Sequence, residues 1–300
     1  DMFSDTHFHF HLIAERAAQE PEAMQPAEIL SAMAEQDCFF GLDIGTKADD
    51  LAGRLTLADS ALAHIKNPEV RQKAQDLLYF SAGIWPAVED IKARTERVAT
   101  LKNQIDAAMQ ADNPLFRKII AVGECGLDRH WNKNSADGRS ETDFDAALCA
   151  AERELFEMQL ELARSMQLPI IVHSRDAFQE TLECIENVGY DNGIIHCYSY
   201  GAAEAAAFLE RGWYISFSGA ITYTKKSKLA QTEELVQLVP ADKILCETDA
   251  PYLAPAPFRG QPNTPLLVQH TYDFVAKMRG IETDALSAAV DANIRALFKI

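Results

Sequence analysis

Eight short apolar runs recur along the chain, and longer amphipathic stretches separate them. The runs are bounded by turn residues and rich in Ile, Val, Phe and Tyr, which is typical of strands buried on both faces. They occupy residues 2–10, 38–45, 77–86, 119–128, 169–177, 193–201, 213–222 and 244–253. Such strands, alternating with helices, predict a parallel sheet, and their number predicts closure into a (β/α)8 TIM barrel.

The stretches between the runs carry helical patterns. In one of them, Leu155, Met158, Gln159 and Leu162 fall near one face of a helix. The helical patterns occupy residues 148–168, which include these four, and 201–212, 232–240, 264–280 and 284–298. An open, doubly wound sheet is the alternative architecture, but no GxGxxG follows the first run to favour it. Because barrels of roughly 250 residues fold as one unit, we expect residues 1–300 to form a single domain.

The charge balance limits the partners of the chain. It has 28 basic and 45 acidic residues, a net charge of −17, and such a surface repels polyanions at long range. Any nucleic acid must therefore bind locally, where metal ions and a few arginines receive a phosphate. No apolar run approaches the roughly 20 residues that span a bilayer, and no secretory signal is evident. We expect a cytoplasmic protein with no membrane partner and no obligate protein partner.

Residues of the types that bind metal ions fall at the carboxyl ends of five of the runs. They are His7, His9, Glu124, His173, His196 and Asp249. In a parallel barrel these ends converge on one rim, where catalytic groups lie. Side chains alternate along a strand, so His7 and His9 point to the same side and can chelate one ion together. The pattern predicts a metal site at the rim.

The size of this residue set favours two ions. Four imidazoles and two carboxylates exceed the needs of one tetrahedral ion, so two ions that share a bridging carboxylate fit better. Mixed nitrogen and oxygen ligands suit Zn²⁺, Mn²⁺, Fe²⁺, Co²⁺ or Ni²⁺, and Mg²⁺ is a further candidate. Taken alone, His173 fits a buried hydrogen-bonded histidine and Asp249 a helix cap. Such explanations would have to hold independently on five strands.

Other polar features near the runs are less specific. His130 closely follows the fourth run and is a candidate for substrate contact. We interpret three further histidines as surface or packing residues: His11, His64 and His270. Two long connections span residues 46–76 and 129–151, and the second opens as a polar loop directly after the fourth run. Its placement makes it a candidate rim or lid segment.

Several motifs together resemble one known family. DTHFHF, GECGLD, PIIVHSRDA, GIIHCYS, YISFSG and ETDAPYLAP follow the order of the motifs of the TatD-family deoxyribonucleases. RGQPNTP and DANIRALF are similar to that family's RGKRNEP and N..RLF signatures. The resemblance runs from residue 5 to residue 298, and the family is part of the wider amidohydrolase-like, metal-dependent barrels. It implies hydrolysis of phosphodiester bonds in DNA, usually from a 3′ end.

The resemblance also implies how the ligands divide. The counterparts of His7, His9, Glu124 and Asp249 hold one ion in the family. Those of Glu124, His173 and His196 hold the second ion, with Glu124 bridging the two. General metal chemistry then assigns a catalytic role to Asp249, which would orient the attacking water and take its proton.

Further residues are candidates for binding substrate or orienting the ligands. Arg259 and Arg175 can steady a phosphate by forked hydrogen bonds, although a structural ion pair explains each equally well. We interpret three acidic residues as groups that orient metal ligands: Asp5, Asp128 and Glu247.

The chain departs from the family pattern at four positions. The family's GIHP reads GIWP here, so Trp85 either stacks on a base or packs at the rim. Thr264 stands where the family usually has Glu, Pro262 where it has a basic residue, and Tyr200 where it has the glycine of HCFSG. All six candidate ligands are retained, so these changes concern the identity of the substrate.

Three functions are compatible with these residues. The first is a DNA exonuclease of the TatD type. The second is a hydrolase of small amides, esters or lactones, or of aminoacyl-tRNA, at the same metal site. The third is a metal-binding protein without catalysis, against which the water-orienting Asp249 argues. A basic groove leading to the rim favours nucleic acid, and a narrow closed pocket favours a small substrate.

Overall fold

Eight parallel strands follow one another in chain order around a single sheet. The computed structural model describes residues 3–130 and 139–300. The strands are β1 Asp5–Phe8, β2 Gly41–Asp43, β3 Leu78–Ala82, β4 Ile119–Asp128, β5 Ile170–Arg175, β6 Gly193–Ile195, β7 Tyr214–Phe217 and β8 Ile244–Cys246. The sheet closes where the chain after β8 meets the end of β1: the amide of His9 donates to the carbonyl of Ala250, and that of Asp249 to the carbonyl of His7, both at 2.8 Å.

Helices surround the strands. They are α1 Phe10–Gln19, α2 Pro26–Glu35, α3 Leu51–Ala63, α4 Pro68–Leu77, α5 Val88–Lys92, α6 Arg94–Gln110, α7 Ala146–Met166, α8 Phe178–Val188, α9 Ala202–Glu210, α10 Leu229–Leu238, α11 Val268–Arg279 and α12 Thr283–Phe298. Each of the eight apolar runs contains one strand, so the predicted (β/α)8 barrel is confirmed and the doubly wound alternative is wrong. In α7, Leu155, Gln159 and Leu162 are buried and Met158 is half-buried, as the periodicity predicts.

The apolar side chains of strands and helices form one continuous core. Strand residues such as Leu42, Phe80 and Ile171 have no exposed surface, as expected for strands covered on both faces. Local signals set the helix ends: Asn67 caps α4, where its side chain accepts from the amides of Glu69 and Val70 at 2.9 and 3.3 Å. Within the described residues, no helix is long and apolar enough to cross a membrane.

The two long connections differ. The first, residues 46–76, consists mainly of α3 and α4, which pack beside the barrel. The second, residues 129–151, includes residues 131–138, which lie outside the described residues, so a rim or lid role stays a prediction. Beyond that gap, the buried Arg139 donates to the carbonyls of Asp128 and Pro86 and pairs with Glu152 of α7 at 2.6 Å. These contacts tie the end of the connection to the rim.

Candidate metal centre

The structure brings all six predicted metal-binding side chains together at the carboxyl-terminal rim of the barrel. His7, Glu124 and His173 lie on β1, β4 and β5. His9 and His196 directly follow β1 and β6, and Asp249 lies three residues after the end of β8. Four of the six residues are buried, whereas the side chains of His173 and Asp249 are 18% and 14% exposed. These two partly exposed residues line the cleft over the cluster.

Glu124 lies at the centre of the cluster, and its two carboxylate oxygens face different partners. Its Oε1 is 3.1 Å from Nε2 of His7 and 3.5 Å from Nε2 of His9. Its Oε2 is 3.0 Å from Nε2 of His196 and 3.2 Å from Nδ1 of His173. Asp249 joins the first side, with Oδ1 at 3.3 Å from His7 and 3.2 Å from His9. Two compact groups of ligand atoms therefore share one carboxylate.

Three of the imidazoles are held in place by an outer hydrogen bond. Nδ1 of His9 lies 3.2 Å from the carbonyl of Ile44, Nδ1 of His196 lies 2.9 Å from Oε1 of Glu247, and Nε2 of His173 lies 2.7 Å from Oδ2 of Asp128. In each ring the other nitrogen then faces Glu124 or Asp249. A ring nitrogen turned inward by an outer acceptor is the usual arrangement of a metal-ligating histidine. The donor set thus fits divalent cations.

The three acidic residues that were predicted to orient metal ligands have different partners in the structure. Asp128 and Glu247 contact ligand imidazoles directly. Asp5 contacts backbone instead: its carboxylate accepts from the amides of His7 and Thr248 at 3.1 and 3.0 Å and from the Thr248 hydroxyl at 2.5 Å. It therefore links β1 to the segment after β8 that carries Asp249.

The electrostatics of the cluster call for positive charge at its centre. Burial by itself would raise the pKa of Glu124, but the charge of His196 and hydrogen bonds with the surrounding imidazoles hold that pKa well below its usual range. Burial would likewise raise the pKa of Asp249, and the hydrogen bond with His9 and the charges of neighbouring imidazoles lower it instead. The reverse holds for His196, whose pKa Glu124 and Glu247 raise well above its ordinary value despite burial. Ionised carboxylates surrounded by buried nitrogen ligands suit a cation.

A cleft of about 810 Å³ opens over the cluster. Its walls combine apolar side chains with cationic ones. The apolar residues include Leu12, Trp85, Val88 and Tyr252, the cationic or basic ones are Lys47, Lys92, His130 and Arg175, and the acidic Glu89 and Asp128 also line the cleft. Cationic side chains thus lie beside the cluster, and the acidic Glu89 lies among them, 3.8 Å from Lys47.

Three of the four predicted substrate contacts line this cleft. Trp85 meets His173 edge-on, with ring centroids 5.5 Å apart, and His130 lies 2.9 Å from the Asp176 carboxylate. Arg175 is exposed at the end of β5. Arg259 lies elsewhere, with its guanidinium 4.1 Å from the ring centroid of Tyr223. The structure therefore groups three of these residues with the cluster and separates the fourth.

Some cleft residues escaped the sequence analysis. Lys47 follows the second run by two residues, Lys92 ends the short helix after the third, and Tyr252 lies within the eighth. The same rule that selected the metal ligands, position near the carboxyl end of a strand, would have found Lys47 and Tyr252. Lys92 lines the cleft together with Val88 and Glu89 of α5, and no sequence signal predicted that this helix would lie there.

The remaining departures from the family pattern lie away from the metal ligands. Pro262 and Thr264 line a second cleft of about 800 Å³ beside α1. The hydroxyl of Tyr200 contacts the Ser174 hydroxyl at 2.7 Å and accepts from the amide of Ala177 at 3.0 Å, so it supports the loop after β5. The other histidines lie apart: His64 is exposed, His270 packs against Phe258, and the half-buried His11 lies edge-on to His9.

The chain is similar to several known proteins. YabD of Bacillus subtilis, described as a metal-dependent hydrolase, is 31% identical over 227 residues, which cover 75% of this chain and 79% of that protein. A protein of Erwinia billingiae described as a 3′-5′ ssDNA/RNA exonuclease TatD is 30% identical over 256 residues, covering 83% and 88%. The crystal structure of the TatD homologue YjjV from Escherichia coli superposes with a TM-score of 0.71 at 25% identity, covering 99% and 98%.

The barrel and its rim cluster define a metal-dependent hydrolase. The sequence model of the family described as TatD related DNase matches residues 4–299. The chain belongs to this family, as its motifs indicate.

Proposed function

We propose that this protein is a two-metal exonuclease that removes nucleotides from the 3′ end of single-stranded DNA or RNA. One ion would be held by His7, His9, Glu124 and Asp249, and the other by Glu124, His173 and His196. The observation that carries the proposal is the division of Glu124, whose two oxygens face two separate groups of imidazoles. Such a shared carboxylate is what a two-ion site requires.

The reaction would use the polar groups of the rim. The bound cations supply neutralisation of phosphate charge and lower the pKa of water. Asp249 would orient the attacking water and accept its proton, and the lowered pKa of its carboxyl keeps it ionised for that step. Glu124 would hold the two halves of the site at a constant separation. Zn²⁺, Mn²⁺, Mg²⁺, Co²⁺ and Ni²⁺ all suit this ligand set.

Nucleic acid as substrate is supported by two exposed cationic side chains of the cleft. Lys92 and Arg175 are exposed on its walls, and neither forms an ion pair within residues 3–130 and 139–300. They are free to contact phosphate, with Arg175 able to do so through a forked pair of hydrogen bonds. Trp85 offers a face for stacking on a base. The related E. billingiae protein, described as an ssDNA/RNA exonuclease, supports the same substrate class.

The strands and the surrounding helices share one hydrophobic core. We therefore also propose that residues 1–300 act as one domain.

A small ester, amide or lactone is the second candidate substrate. The observation that favours it is the apolar part of the cleft, formed by Leu12, Trp85, Val88 and Tyr252. A hydrophobic acyl or leaving group would bury its surface there. The same metal chemistry would then act on a carbonyl in place of a phosphate, and the aminoacyl ester of tRNA is a variant of this substrate.

The direct test is digestion of single-stranded DNA by protein reconstituted with Mn²⁺, Mg²⁺ or Zn²⁺. The DNA strands carry a label at the 5′ end and are blocked at either the 3′ or the 5′ end. Their digestion is compared for wild type, Asp249→Asn and the surface control Asp106→Asn, whose carboxylate pairs with Lys102. We expect stepwise shortening from an open 3′ end by wild type and Asp106→Asn, and a loss of at least about a hundredfold in Asp249→Asn. Equal rates in all three proteins would refute the site. Inert DNA with turnover of aryl esters would favour the second candidate.

A further inference from the structure

Arg54 is a fully buried arginine that belongs to none of the ligand groups. It lies on α3, is 2% exposed, and directs its guanidinium beneath the rim. Both terminal nitrogens donate to the carbonyl of Ser81, at 2.9 and 2.7 Å, and one also donates to the carbonyl of Asp43 at 3.1 Å. Ion pairs with the carboxylates of Asp43 and Asp50, at 3.4 and 3.3 Å, balance its charge. Burying a charged group costs free energy unless hydrogen bonds and opposite charges compensate it, so these partners hold the guanidinium in one position.

Ser81 connects Arg54 to the strand that carries the central carboxylate. Its hydroxyl donates to the carbonyl of Gly123 at 2.7 Å and accepts from the amide of Gly45 at 3.2 Å. The carbonyl of Gly45 in turn accepts from the amide of Glu124 at 2.8 Å. The carbonyl and the amide of the Gly123–Glu124 peptide are therefore both held in place. Ser81, which binds the carbonyl, is bonded to Arg54 directly, and Gly45, which binds the amide, is bonded to Ser81.

The same arginine also orders one wall of the cleft. While Oδ1 of Asp50 pairs with Arg54, its Oδ2 accepts from the amides of Thr46 and Lys47 at 2.9 and 3.1 Å. Thr46 and Lys47 both line the cleft. Arg54 is thus connected to the backbone of Glu124 through Ser81 and to the wall of the cleft through Asp50.

We propose that Arg54 and Ser81 are positioning residues that place the Glu124 carboxylate midway between the two groups of imidazoles. Neither touches a ligand side chain, and both act through the backbone of Gly123 and Glu124. The geometry requires this support because Glu124 must present one oxygen to His7 and the other to His196 at about equal distance, 3.1 and 3.0 Å. A small rotation of the peptide would favour one group over the other. Loss of an outer support of a metal ligand typically lowers metal affinity by about 10- to 100-fold.

A matched pair of serine variants tests the proposal. Ser81→Ala removes the hydroxyl that bridges Gly45 and Gly123, whereas Ser216→Ala removes an equally buried hydroxyl on β7 that has no partner within the described residues. Metal-free protein is titrated with Co²⁺, and its visible absorption reports the coordination and number of ions bound. We expect Ser81→Ala to bind at least about tenfold more weakly, or to take one ion in place of two, while Ser216→Ala matches wild type. Ser81→Thr, which keeps a hydroxyl, should restore part of the affinity.

Two further comparisons separate this inference from its premises, since it rests on the proposed metal site. Arg54→Lys keeps the charge but loses the fork, so it should change the Co²⁺ spectrum in the same direction as Ser81→Ala. If wild type binds no Co²⁺, the proposed two-metal site fails. If wild type binds two ions and folded Ser81→Ala binds them with unchanged affinity and spectrum, the positioning role alone is refuted. A lowered melting temperature with unchanged binding would also refute it, because that is the mark of a purely structural hydroxyl.

Discussion

The imidazole rings of His7 and His196 stack face to face, with centroids 3.9 Å apart and planes 6° from parallel. His7 lies on β1 and His196 directly follows β6, and their Nε2 atoms lie 3.1 and 3.0 Å from different oxygens of Glu124. Stacked imidazoles resist simultaneous protonation, and burial together with the charge of His196 lowers the pKa of His7. A change in the charge of either imidazole therefore affects the other.

Asp128 should support metal binding through His173. Its carboxylate accepts from Nε2 of that ring at 2.7 Å, so Asp128→Asn would weaken the constraint on ring orientation. We expect the affinity for the metal ion held by Glu124, His173 and His196 to fall by about 10- to 100-fold. The control is Asp176→Asn, whose exposed carboxylate contacts His130 at 2.9 Å and touches no ligand. Calorimetric titration with Zn²⁺ would measure the metal affinity of both variants. Equal affinities in Asp128→Asn and Asp176→Asn would contradict the role of Asp128.

Trp85 should determine how tightly the terminal nucleotide binds. Base stacking on an aromatic side chain contributes about 1–3 kcal/mol, so Trp85→Ala should raise KM for single-stranded DNA by about tenfold or more while kcat changes little. Trp85→Phe should keep part of the effect because it retains an aromatic face. Trp213 is fully buried and directly precedes β7, at the amino-terminal end of the barrel, so it offers no such face to substrate. A fall in kcat without a change in KM would show that Trp85 packs against His173 and does not bind substrate.

Lys92 and Arg175 should contribute local phosphate contacts. Neutralising either residue, as Lys92→Gln or Arg175→Gln, should weaken binding of an oligonucleotide and reduce the slope of log affinity against log salt by about 0.7. Lys102→Gln removes an exposed charge on α6, away from the cleft, and should leave that slope unchanged. Fluorescence anisotropy with catalytically silent Asp249→Asn protein would provide the measurement. An unchanged slope in both cleft variants would mean that these cations do not meet phosphate.

Metal stabilisation should increase with pH. Burial would lower the pKa of His9, His173 and His196, but the carboxylates beside them raise each above its ordinary value. Without metal, their protons stabilise the fold fully below the unfolded pKa, and this contribution is lost as pH rises through the folded pKa. His7, with a lowered pKa, opposes this trend only in part.

Cations compete with these protons, so their binding releases protons and strengthens as pH rises. We expect the gain in melting temperature on adding Zn²⁺ or Mn²⁺ to be larger at about pH 8 than at about pH 6. Differential scanning calorimetry with and without a chelator gives the comparison. A gain that falls with pH would contradict the protonation of these rings in the metal-free protein.

Much of the site followed from local patterns. The composition of a run such as IIAVGECGLD predicts a buried strand. The prediction that this strand ends at Glu124 was wrong, because β4 continues to Asp128. Once the runs number eight, the rule that strand ends meet at one rim places His7, His173 and Asp249 together without any knowledge of contacts. Arg259 did not follow this rule, because it lies in a loop well beyond β8, and the structure places it over Tyr223.

What the sequence alone determined is the barrel, the rim and the chemical types of the side chains gathered there, because strand periodicity and strand order are properties of short segments and of their succession. Only the tertiary structure decided which oxygen of Glu124 faces which imidazole, that Asp5 contacts backbone while Glu247 contacts His196, and that Arg54 reaches Gly123 through Ser81. These relations join residues from different strands and helices. Their distances depend on how the barrel closes and how side chains share its interior, and no periodicity along the chain encodes that.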